Sequence, residues 1–374
     1  MQHSDIVGGS SASRVINCPG SVALVVKAPP KPSSSYADEG TLLHNAADII
    51  LDKGKKPQEL IGMTYGNIVL TKELVEDKLQ VALDLLEEVD PNFEMDYMTE
   101  TVVEFGDFLP GVFGSTDLMG RIGKRAYVID WKFGSGVIVD AEENSQLLFY
   151  AAAAMRTPSA KWVFDGAEEI EMIIIQPPEI RRWVTTFERV KRFENELVAA
   201  LIEAKKPDAK LFAGDHCKWC AAKPTCPQMT GAVERALKKD LKTIDVNKIA
   251  AYLGNAVLLE GWISSLRELA QQMLENDVPV PGMKLVAKRA TRSWADESKA
   301  KTHLLSVLPK DEVITEKILS PAQAEKVLKK AKLDLPKELI VAISSGSTMV
   351  EDSDPRPAVK TLGAQMTASL KKIQ

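Results

Sequence analysis

The sequence predicts a mixed α/β fold, in which helices pack on a mixed central sheet. Three observations predict it. Apolar residues recur at helical spacing over residues 40–54 and 71–89. Strand-like stretches follow in two groups, residues 97–133 and 169–188. A helical segment separates the two groups and another follows them, an order typical of a sheet covered by helices.

The composition is that of a globular protein large enough for two domains. The chain has 374 residues, and 45% of them are hydrophobic, which is ample for a core in each domain. We expect one domain over residues 1–235 and a smaller α/β region over residues 236–374. No apolar run is long enough for a membrane span and the start lacks a signal-peptide pattern, so the expected location is the cytoplasm, without a membrane partner.

The net charge of -5 excludes one class of protein, those that coat nucleic acid through a broadly basic surface. It does not exclude a metal-dependent nuclease. Such enzymes concentrate carboxylates at the site, while a local basic groove meets the phosphates.

Two helices are predicted before the strands. The first begins behind Gly40, so that His44 is expected in its first turns. The second has Thr71 as its N-cap and Pro91 beyond its end.

A strand hairpin follows and carries the chemistry. Residues 111–122 and 126–133 predict two strands joined by a tight turn at Gly123. Residues two apart on a strand share a face, so Asp130 and Lys132 are expected side by side. Asp117 lies on the same face if the register allows. Two carboxylates from neighbouring strands suit Mg²⁺ or Mn²⁺, and a lysine beside them can stabilise charge on a phosphate. The alternative is an exposed charge pair.

The next helix is predicted over residues 140–157, with acidic residues in its first turn. Gln146 and Tyr150 are four residues apart and share one helical face. Their amide and phenol could hold a phosphate or the lysine. Strands over residues 169–178 and 181–188 follow, and then a helix over residues 190–206.

The four cysteines of the chain are unevenly placed. Cys217, Cys220 and Cys226 form a C-x2-C-x5-C pattern, and Cys18 lies far upstream. In a reducing cytosol such cysteines are ligands, nucleophiles or buried thiols rather than disulfides. Four thiolates can hold Zn²⁺ or an iron-sulfur cluster, and the spacing does not decide between them. Alternatively, Cys18 is an unrelated core thiol and His216 replaces it as a ligand.

The C-terminal region predicts a helix over residues 246–276, one basic strand over residues 282–294, and a helix with Ser320 as its N-cap. Basic side chains beside Trp294 can hold phosphates while the indole stacks a base. They are Lys284, Lys288, Arg289 and Arg292. A solvated strand face with one core tryptophan is the alternative interpretation.

The motifs, taken in order, resemble the RecB-like branch of the PD-(D/E)xK nucleases. They are "EGTLLH", "GVFGSTD", "VIDWK" and "QLLFY". The resemblance implies a restriction-endonuclease-like core and a Mg²⁺- or Mn²⁺-dependent DNA exonuclease. The metal ligands that it implies are His44, Asp117, Asp130 and the carbonyl of Trp131. It further implies that Lys132 is the catalytic lysine and that Gln146 and Tyr150 support it. Many members have Glu where this chain has Asp130. Glu104 is a weaker candidate without a motif position.

The cysteine arrangement is similar to that of iron-sulfur RecB-like nucleases, including the CRISPR adaptation nucleases and the AddB nuclease domain. This similarity implies that the four cysteines hold a 4Fe-4S cluster that closes the nuclease domain, with Zn²⁺ as the alternative. The layout from "CPGS" to "DSDPRPAV" also resembles an uncharacterised phage- and prophage-associated family.

That layout implies single- or double-stranded DNA as the substrate, in phage recombination or DNA processing, with a single-strand-binding or annealing protein as a partner. The alternative function is a catalytically silent iron-sulfur protein that binds DNA or acts as a scaffold on a nuclease fold.

Overall fold

The computed structural model describes residues 4, 6–28, 33–134, 137–231, 249–287, 291–313, 318–330, 333–343, 347–351 and 357–359. The chain divides into two compact units, Met1–Trp262 and Ile263–Gln374. The predicted boundary at 235/236 falls outside the described residues and stays a prediction. Among the helices that are described, none combines the length and the apolar character needed to cross a membrane.

Helices and a small hairpin open the first unit. They are α1 (Ala12–Asn17), α2 (Ser21–Val26), α3 (Ser35–Lys53), β1 (Thr64–Tyr65), β2 (Ile68–Val69) and α4 (Lys72–Leu74). A π-helical segment, Val75–Leu79, joins α4 to α5 (Gln80–Val89). The predicted N-cap Thr71 is confirmed, because its side chain accepts a hydrogen bond from the N–H of Leu74. The predicted start of α3 is wrong. Ser34 provides its N-cap, and His44 therefore lies in mid-helix.

A five-stranded sheet forms the centre of the first unit. Its strands, in spatial order, are β3 (Asp96–Glu104), β4 (Phe113–Ile122), β5 (Arg125–Trp131), β6 (Glu169–Gln176) and β7 (Glu179–Thr185). Only β5 and β6 run parallel, and the other neighbours are antiparallel. The tight turn predicted between β4 and β5 is confirmed, and Gly123 has the positive φ of +55° that favours glycine there.

The two long helices after β5 are α6 (Ser145–Ala154) and α7 (Phe187–Ala204). The prediction that α6 begins at residue 140 is wrong. The side chain of Asn144 accepts hydrogen bonds from the N–H groups of Gln146 and Leu147, and so ends the preceding loop. The acidic residues that were expected in the first turn lie in that loop, and the cap holds Gln146 at the second helical position.

Alternate residues of the central strands pack into separate cores on the two faces of the sheet. Val128 and Ile174 join one core, with Phe149 of α6. Ile129 and Ile173 join the other core, which includes residues of α3 and α5. Each fully buried side chain of this size stabilises the fold by about 1.5–3 kcal/mol. The predicted fold class, a mixed sheet flanked by helices, is therefore confirmed.

The boundary between the units falls within α8 (Ile249–Glu275). The described residues that follow form shorter α-helices and strands: β8 (Met283–Ala287), β9 (Thr291–Trp294), α9 (Glu297–Val307), α10 (Lys310–Val313), α11 (Pro321–Lys330), β10 (Ile340–Ile343) and β11 (Ser347–Glu351). β9 pairs with β10, and β8 pairs with β11. The prediction of one strand over residues 282–294 is wrong, because its two halves pair with different partners. The predicted N-cap Ser320 is confirmed by a hydrogen bond from the N–H of Gln323, 3.4 Å long.

Trp294 has a structural role in the second unit. Its ring packs against the core of that unit, and its indole N–H donates a hydrogen bond of 2.9 Å to the carbonyl of Leu319. These contacts favour the core-tryptophan interpretation over base stacking. Lys288 and Arg289 lie outside the described residues, as does the side chain of Arg292, whereas Lys284 lies on β8.

Candidate active site

Three carboxylates lie in line across three neighbouring strands. β3 and β4 pair Thr99 with Leu118 and Thr101 with Thr116, which places Glu100 opposite Asp117. The paired residues of β4 and β5 end at Leu118 and Ile129. The next residue along each strand is Asp117 on β4 and Asp130 on β5, so the two aspartates lie opposite each other. We call Glu100, Asp117 and Asp130 the carboxylate row. The register that the sequence left open is thus the one that brings Asp117 and Asp130 together.

Asp130 and Lys132 form a buried ion pair. The Lys132 ammonium lies 2.7 Å from Asp130 Oδ2, and Asp130 is only 1% exposed. Burial raises the pKa of the Asp130 carboxyl despite the nearby ammonium. Burial also opposes the charge on Lys132, but the Asp130 carboxylate outweighs it and raises the pKa of the lysine. The ion pair thus favours the protonated form of Lys132.

Gln146 organises this pair from α6. Its Nε2 donates hydrogen bonds to Asp130 Oδ1 (2.9 Å) and to the Tyr150 hydroxyl (2.8 Å). Its Oε1 accepts a hydrogen bond of 3.0 Å from Lys132. The expected shared face of Gln146 and Tyr150 is present, because the two side chains touch. The structure thus brings Asp130, Lys132, Gln146 and Tyr150 into one hydrogen-bonded network.

His44 reaches the carboxylate row from α3. Its Nδ1 lies 3.3 Å from Asp117 Oδ1, while Asp117 Oδ2 accepts a hydrogen bond of 2.8 Å from the Trp131 N–H. The His44 ring also packs edge-on against Phe133. Burial disfavours the imidazolium, but the carboxylates of Asp117 and Asp130 outweigh burial and raise the pKa of His44. The backbone of Trp131 therefore lies at the site, next to the carboxylate that His44 faces.

Glu100 is the member of the carboxylate row that motif analysis missed. Its carboxylate, that of Asp117 and a ring nitrogen of His44 lie within 4.8 Å of one another. Burial, reinforced by Asp117, raises the pKa of Glu100 to about 7. Glu104, the candidate without a motif position, has an exposed side chain, whereas that of Glu100 is partly buried. The β3–β4 register places Glu100 opposite Asp117 and pairs Glu104 with Phe113.

The site lines a cleft of about 400 Å³. Close packing shapes one wall, because a Cβ on Gly9 would lie 2.5 Å from the Tyr150 ring and one on Gly114 would lie 3.2 Å from it. Tyr65, from the β1–β2 hairpin, also lines the cleft and is 41% exposed. The cleft is thus open above the carboxylates, whereas close packing against the Tyr150 ring leaves no free space on that side.

The four cysteines line a second, smaller cavity, which we call the cysteine cavity. All four are free thiols: Cys18, Cys217, Cys220 and Cys226. Cys18 Sγ accepts a hydrogen bond of 3.4 Å from the N–H of Phe212, which ties the start of the chain to the late cysteines. Cys18 is thus placed with the other three cysteines and not in a separate core.

Positive groups surround the cysteine cavity. Hydrogen bonds with Cys18 and Cys217 raise the pKa of His216 to about 10. The hydrogen bond between His216 and Cys217 lowers the pKa of the Cys217 thiol, whereas burial raises the pKa of the Cys220 thiol. Arg14 also lines the cavity. This environment favours negative charge on at least part of the thiol set.

The fold and the two sites define a mixed α/β protein with a carboxylate-lysine centre and a separate four-cysteine cavity. Residues 3–357 match the family described as a protein of unknown function (DUF2800), and the chain belongs to that family.

Solved structures show distant similarity to the chain. One is described as SSO0001, with 16% identity over 58% of this chain and 84% of that chain, at a TM-score of 0.26. Another is an alkaline exonuclease (LHK-Exo) from Laribacter hongkongensis, with 12% identity over 54% of this chain and 89% of that one, at a TM-score of 0.26. The structure of LHK-Exo in complex with dAMP has 14% identity over 52% of this chain and 90% of that one, at a TM-score of 0.23. Function therefore has to be inferred from the chemistry of the site.

Proposed function

We propose that this protein is a divalent-metal-dependent deoxyribonuclease that hydrolyses phosphodiester bonds as an exonuclease. The observation that carries the proposal is the pairing of adjacent carboxylates, Asp117 and Asp130, with an ammonium 2.7 Å from Asp130 at the edge of an open cleft. Carboxylates next to one lysine are the groups that phosphoryl transfer with a metal ion requires.

The donor set fits a divalent cation. His44 Nδ1 is buried and makes no hydrogen bond to any residue in the described part of the chain, although it faces Asp117. The groups that would hold the ion are His44, Asp117, Asp130 and the Trp131 carbonyl. Carboxylates and a carbonyl suit Mg²⁺ and Mn²⁺, and the imidazole favours Mn²⁺ over Mg²⁺. When bound, the ion supplies positive charge that polarises the phosphate and lowers the pKa of a water.

Lys132 provides fixed positive charge toward the reacting phosphate. Asp130 and Gln146 hold its ammonium from two sides, at 2.7 Å and 3.0 Å. Because the pair keeps the lysine protonated, it can donate hydrogen bonds to the attacking water and stabilise the extra charge that the phosphate gains. Tyr150 and Gln146 act through this geometry, since they fix the orientation of Asp130 and the lysine.

The cleft also supports a polynucleotide substrate. Tyr65 presents a partly exposed ring beside the carboxylates, and a nucleobase next to the scissile phosphate can stack on such a ring. The chain is acidic overall, so local contacts of this kind, rather than a broad basic surface, would position DNA.

A cleavage assay tests the proposal. Anaerobically purified protein is incubated with end-labelled single- and double-stranded DNA and with covalently closed circles, in Mn²⁺, Mg²⁺ or EDTA. We expect metal-dependent loss of linear DNA only, abolished in Asp130→Asn and about 100- to 1000-fold slower in Lys132→Met. Lys124→Met is the matched control, because Lys124 pairs with Glu168 on the exposed surface.

Two outcomes would contradict the proposal. Loss of circular and linear DNA alike would exclude a pure exonuclease. DNA binding without any cleavage by the wild type would favour the silent DNA-binding or scaffold protein instead.

We also propose that the cysteine cavity holds a 4Fe-4S cluster. Among the described residues, no set of three metal-binding side chains that includes a cysteine has all its ligand atoms within 4.8 Å. A zinc tetrahedron with Zn–S bonds of about 2.3 Å would place its sulfurs roughly 3.8 Å apart. An iron-sulfur cube accepts wider spacing, because an iron lies between the cube and each thiolate. The cations around the cavity would offset the negative charge of such a cluster.

The biological setting follows from resemblance to phage-associated proteins and stays a proposal. A recombination or DNA-processing role with a single-strand-binding or annealing protein is tested by co-purification from cells that express both proteins. Stimulation of cleavage on DNA coated by that partner would support it.

A further inference from the structure

Glu100 occupies a position in the site that none of the sequence motifs assigns. It lies opposite Asp117 on the neighbouring strand, and its carboxylate is within 4.8 Å of both Asp117 and His44. The hydrogen bond described for its side chain comes from Ser115 Oγ, at a long 3.4 Å. Most of the bonding capacity of this carboxylate is therefore free for another ligand.

The charges around Glu100 call for a cation. Glu100 and Asp117 are two carboxylates held side by side, and like charges this close repel one another. The Lys132 ammonium lies 2.7 Å from Asp130 of β5, a strand that β4 separates from the strand of Glu100.

His44 supplies an independent observation. Its Nδ1 is buried, faces Asp117 Oδ1 at 3.3 Å, and makes no hydrogen bond within the described residues. A buried imidazole nitrogen that faces two carboxylates is a mixed nitrogen and oxygen donor set, which suits Mn²⁺. Asp130 Oδ1 accepts a hydrogen bond from Gln146, whereas its Oδ2 faces the Lys132 ammonium at 2.7 Å without a hydrogen bond in the described residues.

We propose that Glu100 is a ligand of the divalent cation, in addition to His44 and Asp117, on the β3 side of the carboxylate row. The inference rests on the proposed function for the presence of a metal, but it concerns ion affinity and not cleavage. Hexacoordinate Mg²⁺ and Mn²⁺ have room for a further carboxylate in place of a water.

Mn²⁺ binding tests the assignment. Affinity is measured by calorimetry and by the electron paramagnetic resonance of free Mn²⁺, on wild type, Glu100→Gln and Asp48→Asn. Asp48 is the matched control, because it contributes negative charge near Glu100 but is not in the donor set. We expect Glu100→Gln to weaken Mn²⁺ binding by at least about tenfold. Asp48→Asn should change it by less than about threefold, as a screened charge would.

The results separate the possibilities. Wild-type affinity in Glu100→Gln overturns the assignment and leaves a protonated His44 as the counter-charge of Asp117. Equal loss in Asp48→Asn also overturns it, because the effect would then be general electrostatics. Should Glu100→Gln fold poorly in circular dichroism, Glu100→Gly replaces it, since Glu100 has a φ of +41° that glycine accepts readily.

Failure of this inference is distinguishable from failure of the proposed function. A wild type that binds Mn²⁺ through Glu100 but cuts no DNA refutes the nuclease and supports the ligand assignment. A Glu100→Gln protein with wild-type affinity and full cleavage supports the nuclease and refutes the assignment.

Discussion

Replacing Lys132 by methionine removes half of a buried ion pair. The substitution leaves the Asp130 carboxylate, 1% exposed, without the ammonium that lies 2.7 Å away. Breaking a buried pair from one side costs about 3–5 kcal/mol. Asp130 avoids part of that cost by taking up a proton, because burial raises its pKa. We therefore expect a loss of about 3 kcal/mol at about pH 8 and a smaller loss at about pH 5.

The double variant Asp130→Asn/Lys132→Met shows whether the unpaired charge is the cause. With both charges gone, we expect a total loss of only about 1–2 kcal/mol. The free energy of unfolding is measured by urea titration in EDTA, with Lys124→Met expected within about 0.5 kcal/mol of wild type. Cleavage should fall about 100- to 1000-fold in Lys132→Met and be abolished in the double variant, which also lacks the Asp130 carboxylate.

The reasoning is refuted if Lys132→Met costs less than about 1 kcal/mol at the higher pH. It is also refuted if the double variant is as unstable as the single one, because the loss would then come from packing.

Three further predictions concern the wall of the cleft, the metal-free site and the cysteines. Gly9→Ala should destabilise the fold by about 1–3 kcal/mol in thermal unfolding, because its Cβ would meet the Tyr150 ring, whereas Gly40→Ala, whose Cβ meets nothing within 4 Å, should not. In EDTA, the free energy of unfolding of the wild type should fall relative to that of Glu100→Gln as the pH rises from about 5 to 8. The reason is that the Glu100 carboxyl, whose pKa in the folded protein is raised to about 7, favours folding only while it is protonated. Parallel stability curves for the two proteins would contradict this. Anaerobic protein should be brown, with about four irons and four sulfides per chain, and Cys220→Ser should lose them and melt earlier; a colourless protein with one zinc would contradict it.

Much of the sheet was predictable because its signals are local. The alternation of apolar residues around Gly123 predicted the hairpin, and the two-residue period of a strand predicted that Asp130 and Lys132 share a face. The four-residue helical spacing likewise predicted the contact between Gln146 and Tyr150.

Features that depend on distant residues were not predictable in this way. Glu100 belongs to the site because of the β3–β4 register and an unusual backbone angle, and neither has a local signature. Strand 282–294 was predicted as one element because its basic pattern is continuous, whereas its halves pair with two different strands, β9 with β10 and β8 with β11, both far along the chain. Tertiary pairing decided both cases.

The docking of the chain's first residues has a consequence for synthesis of the protein. Gly9 packs on Tyr150. The segment that carries Gly9 is held by residues much later in the chain: the N–H of Gly20 donates to the carbonyl of Lys210, and Cys18 Sγ accepts a hydrogen bond from the N–H of Phe212. Chains emerge from the ribosome at about 5–20 residues per second. A nascent chain therefore exposes every residue of the carboxylate row some seconds before the wall behind Tyr150 can be completed. The order of synthesis would keep the carboxylate site incomplete until the cysteine-rich segment has been made.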